Sequence, residues 1–144
     1  AQIERLGSLL GLLKEKGVDV IDCSSGGTLG HSHLDAERAR KYGYQVPYAE
    51  KIKREAGVMT MAVGLIIHGE QAEQILRDGQ ADLIAVGREN LNNPNWPMDA
   101  ALKLGVDGPF RNVPPQFGYW LGTRAKRGFG TQPSTWQNGL HEAK

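Results

Sequence analysis

The first two thirds of the chain alternate between helical and strand-like spacing of apolar residues. Residues 1 to 16 place Ile3, Leu6, Leu9, Leu10 and Leu13 three or four apart, which predicts an amphipathic helix, and Gly17 follows as its stop. Val18-Asp19-Val20-Ile21-Asp22 then reads as a strand. Its exit, Cys23-Ser24-Ser25-Gly26-Gly27, has small side chains, two hydroxyls and two glycines, and leads into a polar excursion through about residue 44. A helix is predicted from about Pro47 to Ala56, with the proline in the first turn, where a missing N–H is no loss. Two further apolar runs, Met59 to Leu65 and Asp82 to Arg88, read as strands near 58 to 63 and 82 to 86. Between them Gly69 to Gly79 reads as a helix with Ala72, Ile75 and Leu76 on one face. This order predicts three adjacent parallel strands in an α/β architecture, with functional groups at the strands' carboxyl ends and Gly26, Gly64 and Gly87 on one rim.

Two of those strand ends carry candidate chemistry. Each run stops on a glycine, Gly64-Leu65 and Gly87-Arg88, where backbone N–H groups can approach an anion with no side chain between. Arg88 adds a planar charged fork suited to phosphate oxygens. The alternative for Gly64 and Gly87 is that they only make tight strand-to-helix turns. Ser24 and Ser25 sit at the end of the first strand, and packing or turn chemistry accounts for them equally well.

Length qualifies the fold. A closed (β/α)8 barrel needs about 250 residues, whereas this chain has 144 and reads as α/β only over the first 105 or so. Three strands cannot close a barrel, and an open three-stranded sheet leaves two apolar edges. The chain opens on Ala1 inside what reads as a helix, so the expectation is the last part of a barrel whose first part lies elsewhere, in the same or a companion chain. A small open α/β domain is the other reading.

Composition narrows the partners. A net charge of +1 and 23% charged residues give no reason to expect nucleic acid or a membrane surface. The short cluster Arg124-Ala125-Lys126-Arg127 reads as a solvated face. A single cysteine excludes an internal disulfide and fits a reducing, cytoplasmic setting, and no signal peptide or membrane-length apolar run is visible. His31 and His33 form an H-x-H pair without a third ligand, so no metal is expected.

Three stretches together resemble the C-terminal part of the old yellow enzyme family, nearest its NADPH dehydrogenase and xenobiotic reductase branch. They are Asp19 to Gly27, Gly43-Tyr44-Gln45-Val46-Pro47-Tyr48-Ala49-Glu50-Lys51-Ile52, and Ala81 to Leu91, and the likeness covers roughly residues 1 to 121. The resemblance implies an FMN-dependent, NADPH-using ene-reductase on a (β/α)8 TIM barrel, with strands six, seven and eight present here. It implies that Gly64, Leu65, Gly87 and Arg88 hold the FMN phosphate and that Ser24 and Ser25 lie near the flavin edge. The family's substrate-binding His pair, its proton-donating tyrosine and its flavin-tuning residues belong to earlier strands, so no catalytic residue is assigned to this chain, which alone is expected to be inactive. Other readings stay open: a phosphate-binding barrel of another reaction class, or a non-catalytic half-barrel that self-associates.

The division expected is residues 1 to 108 as the barrel portion and 109 to 144 as an extended C-terminal arm with a flexible end from residue 122. Pro114-Pro115 reads as a stiffener of that arm. In the resembled branch such an arm crosses a homo-oligomer interface and places an aromatic or arginine residue in a neighbour's active site. Trp120 resembles that residue and would cover a small-molecule substrate. Alternatively Phe117, Tyr119 and Trp120 dock the tail on its own barrel.

Overall fold

A computed structural model describes residues 2–25 and 41–128. The elements run α1 (Gln2–Glu15), β1 (Val20–Asp22), α2 (Val46–Ala56), β2 (Met59–Ala62), α3 (Gly69–Arg77), β3 (Leu83–Ile84), α4 (Arg88–Asn92), α5 (Trp96–Lys103) and α6 (Pro115–Lys126). They form two compact units that meet between Pro94 and Asn95.

In the first unit the strands lie in the order β1-β2-β3, all parallel, as the alternation of elements predicts. They are shorter than the apolar runs. The hydrogen bonding nevertheless runs past them: Cys23 N–H donates to Met61 O, Asp82 N–H to Thr60 O and Ala85 N–H to Ala62 O. Edge strands have a neighbour on one side only, so the regular ladder frays first there.

The period of two divides β2 cleanly. Thr60 and Ala62 are fully buried, and with Val46 and Ala49 of α2 and Ala72 and Ile75 of α3 they make the core between sheet and helices. Leu10 of α1 is buried, whereas Leu9 and Leu13 are exposed, and in α3 Leu76 is exposed at the margin of the face assigned to it. On the other side of the sheet, Val20 pairs with Met59, and Asp22, Met61 and Leu83 follow in register. Met59 and Leu83 remain 50% and 47% exposed there. Parallel sheets are ordinarily covered on both faces, so this second face is suited to further packing.

The amino-terminal ends of β2 and β3 are tied by one side chain. Asp82 accepts a hydrogen bond from Thr60 N–H at 2.9 Å and pairs with Lys53 Nζ at 2.9 Å. The Lys53 ammonium and the Thr60 N–H hold the Asp82 carboxyl below the usual carboxylate range.

The second unit departs from the sequence reading. Residues 115 to 126, expected as part of an extended arm with its end flexible from residue 122, are helix α6. The two prolines split their roles: Pro114 is extended (φ −48°, ψ 138°), as a residue before proline prefers, and Pro115 begins the helix. Gly118 permits α6 to close on the preceding segment, because a Cβ there would lie 2.8 Å from Phe110 O. Residues 129 to 144, and the flexibility expected of them, lie outside the described residues.

Candidate functional site

At the carboxyl end of β2 the chain makes two successive left-handed steps, Gly64 at φ 109° and Leu65 at φ 52°. The first requires glycine. A left-handed conformation costs a residue such as leucine about 1–2 kcal/mol, and here it is fastened from outside. Gln71 of α3 donates from Nε2 to Leu65 O at 3.1 Å and accepts from Ile67 N–H at 3.2 Å, and Gly43 N–H also reaches Leu65 O. With its carbonyl held, the turn leaves the N–H groups of Gly64, Leu65 and Ile66 without an acceptor among the described residues. Strain held in place at a strand end is a common mark of a binding site.

β3 ends beside it. Gly87 precedes α4, and Gly64, Leu65, Gly87 and Arg88 line one cleft of about 470 Å³ together with Tyr44, Gln45 and Glu89. Arg88 is exposed and makes no ion pair among the described residues. Glu89 is the only acid lining the cleft among the described residues, and its carboxylate accepts a hydrogen bond from Asn92 Nδ2 at 3.0 Å. Clustered backbone N–H groups beside a guanidinium suit an anion with several acceptor oxygens.

Ser24 and Ser25 line a separate cleft of about 250 Å³ with Cys23, Tyr48, Lys51 and Ile52. The Ser25 hydroxyl oxygen is buried with no hydrogen-bond partner among the described residues, while Ser25 N–H donates to Gln45 Oε1. Gln45, only 4% exposed, thus joins the two strand exits. Burial, followed by the charge of Asp22, pushes the Cys23 thiol up, which disfavours the reactive thiolate, and Sγ lies 3.4 Å from Ile21 O.

The remaining expectations fall elsewhere. Gly26, His31 and His33 lie outside the described residues. His68 packs edge-on against Tyr42, with ring centroids 5.4 Å apart. Trp120 lies on α6 in the second unit, 69% exposed and edge-on to Tyr119 at 5.2 Å. Among the described residues no group of three His, Cys, Asp or Glu could hold a metal, and no helix is long and apolar enough to cross a membrane. Tyr44 and Gln45 are among the lining residues that the sequence reading missed, as is Glu89. The first two stand in the Gly43 to Ile52 stretch, but nothing in their spacing places them at the end of β2.

Fold and site together define a parallel α/β protein whose adjacent strand ends share a cleft lined by open backbone N–H groups and a guanidinium. A family model described as the NADH:flavin oxidoreductase / NADH oxidase family matches residues 2–105, and the chain belongs to that family. It is similar to an NADPH dehydrogenase of Geobacillus thermodenitrificans, 53% identical over 94 residues that make up 65% of this chain and 26% of the relative. An NADPH dehydrogenase of Geobacillus sp. (strain WCH70) is 54% identical over 95 residues, 65% and 26% of the two chains. One from Halalkalibacterium halodurans is 52% identical over 99 residues, 67% and 28%. The chain spans about a quarter of the length of the curated relatives it matches. FMN and NADPH are the cofactors that this membership and these relatives imply.

Proposed function

We propose that this chain is the C-terminal portion, strands six to eight, of the (β/α)8 barrel of an FMN-dependent ene-reductase, and that its cleft holds the flavin phosphate. The observation that carries the site is the environment of Gly87. A Cβ there meets no atom of the described residues within 4 Å, so packing does not require the glycine, and the space beside the backbone is open to a ligand. The exposed face at Val20, Met59, Met61 and Leu83 supports the barrel reading, since it suits the interior that the remaining strands would complete.

FMN, when bound, carries hydride from NADPH to an activated alkene such as an enone or nitroalkene. The residues of this chain bind and orient. Arg88 pairs with phosphate oxygens through its fork, and the N–H groups of the Gly64 turn and of Gly87 donate to the others. Ser25, with its unpartnered buried hydroxyl, offers a hydrogen bond at the flavin's edge. Groups that polarise the alkene and deliver its proton belong to the rest of the barrel.

In the complete flavoprotein, Arg88→Ala should weaken FMN binding by about 1.5–3 kcal/mol, the range for a hydrogen bond to a charged group, and Arg88→Lys should restore part of it. Riboflavin, lacking the phosphate, should bind both variants as it binds the parent. Equal weakening of the two flavins would refute the phosphate assignment.

Trp120 is assigned to cover the substrate, in a neighbouring subunit of a homo-oligomer. Its exposed indole, with Phe117 62% and Tyr119 67% exposed on the same helix, supports a role in contact with another molecule. Trp120→Ala should raise KM for the alkene several-fold with FMN affinity and melting temperature unchanged. A drop in melting temperature with KM unaltered would instead mark a residue that docks α6.

A further inference from the structure

We infer that Tyr44 is a phosphate-binding residue of this cleft, with Gln45 holding its hydroxyl in the donating sense. The inference rests on the cleft being the FMN phosphate site and adds a ligand to it from a loop outside the strand ends.

The direction of the hydrogen bonds follows from chemistry. Ser25 N–H can only donate, so the Gln45 atom that meets it is the acceptor Oε1. The other end of the amide is therefore Nε2, which can only donate, and it lies 2.9 Å from the Tyr44 hydroxyl oxygen. That oxygen accepts, and its own proton must point elsewhere. Gln45 is buried, so water cannot easily replace this arrangement. Among the described residues the Tyr44 hydroxyl has no acceptor for its proton.

Position completes the case. Tyr44 Cε1 lies 3.1 Å from where a Cβ of Gly64 would be, so the ring edge, with the hydroxyl on the adjacent carbon, stands against the turn whose N–H groups are open. Tyr44 lines the same cleft as Gly87 and Arg88. The hydroxyl, the backbone N–H groups and the guanidinium all present hydrogens. A ligand that supplies only acceptors and carries negative charge satisfies all of them, which describes a phosphate dianion and not the neutral ribityl hydroxyls.

Tyr44→Phe keeps the ring against Gly64 and removes only the hydroxyl. In the complete flavoprotein it should raise the FMN dissociation constant about tenfold, leave riboflavin binding unchanged and shift the phosphorus NMR resonance of bound FMN. Equal weakening of both flavins, or no change in FMN affinity and resonance, would overturn the assignment. Arg88→Ala measured alongside separates the two claims. If it discriminates FMN from riboflavin and Tyr44→Phe does not, the cleft stands and the role of Tyr44 falls. If neither discriminates, the reading of the cleft falls.

Discussion

Gly87→Val is expected to abolish tight FMN binding and leave the protein folded. The described residues leave room for the added side chain, but the backbone, at φ −97° and ψ −93°, lies outside the broad β and right-handed α regions. The valine methyl groups would fill the space where the backbone meets the phosphate. Inserting atoms into a close contact disfavours it by about 1–3 kcal/mol, and more where the partner cannot move. FMN affinity should fall at least as far as in Arg88→Ala, with riboflavin much less affected. The apoprotein should stay folded, at a cost of about 1–3 kcal/mol for a β-branched residue on this backbone. Retained FMN affinity would mean that the phosphate does not approach Gly87. A larger loss of stability would mean that a further contact constrains the position.

Gly64→Val should behave in the opposite way, with stability lost first and flavin lost as a consequence. At φ 109° an L side chain is strained, and its Cβ would lie 3.0 Å from Gln45 Cγ and 3.1 Å from both Gln45 Cβ and Tyr44 Cε1. Strain of about 1–3 kcal/mol adds to a similar overpacking term, against a domain stability of about 5–15 kcal/mol. Thermal and denaturant unfolding of the complete flavoprotein should show a loss of about 2–6 kcal/mol, with FMN and riboflavin weakened alike. A variant that unfolds as the parent does would show that Tyr44 and Gln45 move aside freely, and the fixed geometry claimed for them would not hold.

The strands, their parallel order and the shared cleft of Gly64 and Gly87 were legible because each depends on local pattern: apolar runs of strand length, a helix between them, and glycine at the exit. The helix at Pro115 was not legible from its prolines. The same pair that stiffens an extended segment also starts a helix, with Pro114 extended and Pro115 in the first turn. Tyr44 and Gln45 escaped for another reason. Their role depends on the 41 to 45 turn returning over the end of β2, a placement made by Gly43 N–H bonding Leu65 O and by Gln45 bonding Ser25, neither encoded in spacing. Tertiary contacts likewise put Ser24 and Ser25 in a cleft of their own.

The fastening of β2 to β3 through Asp82, Thr60 and Lys53 lies at the end of the sheet opposite Gly87 and Arg88. On the proposed reading of the cleft, ligand choice and mechanical integrity are therefore written at different addresses along the same two strands. A designer wishing to retune this rim for a different anion can vary residues 87 and 88 while the clasp at the far end keeps the strands in register. The same separation gives natural variation room to change cofactor affinity by small steps without risking the scaffold.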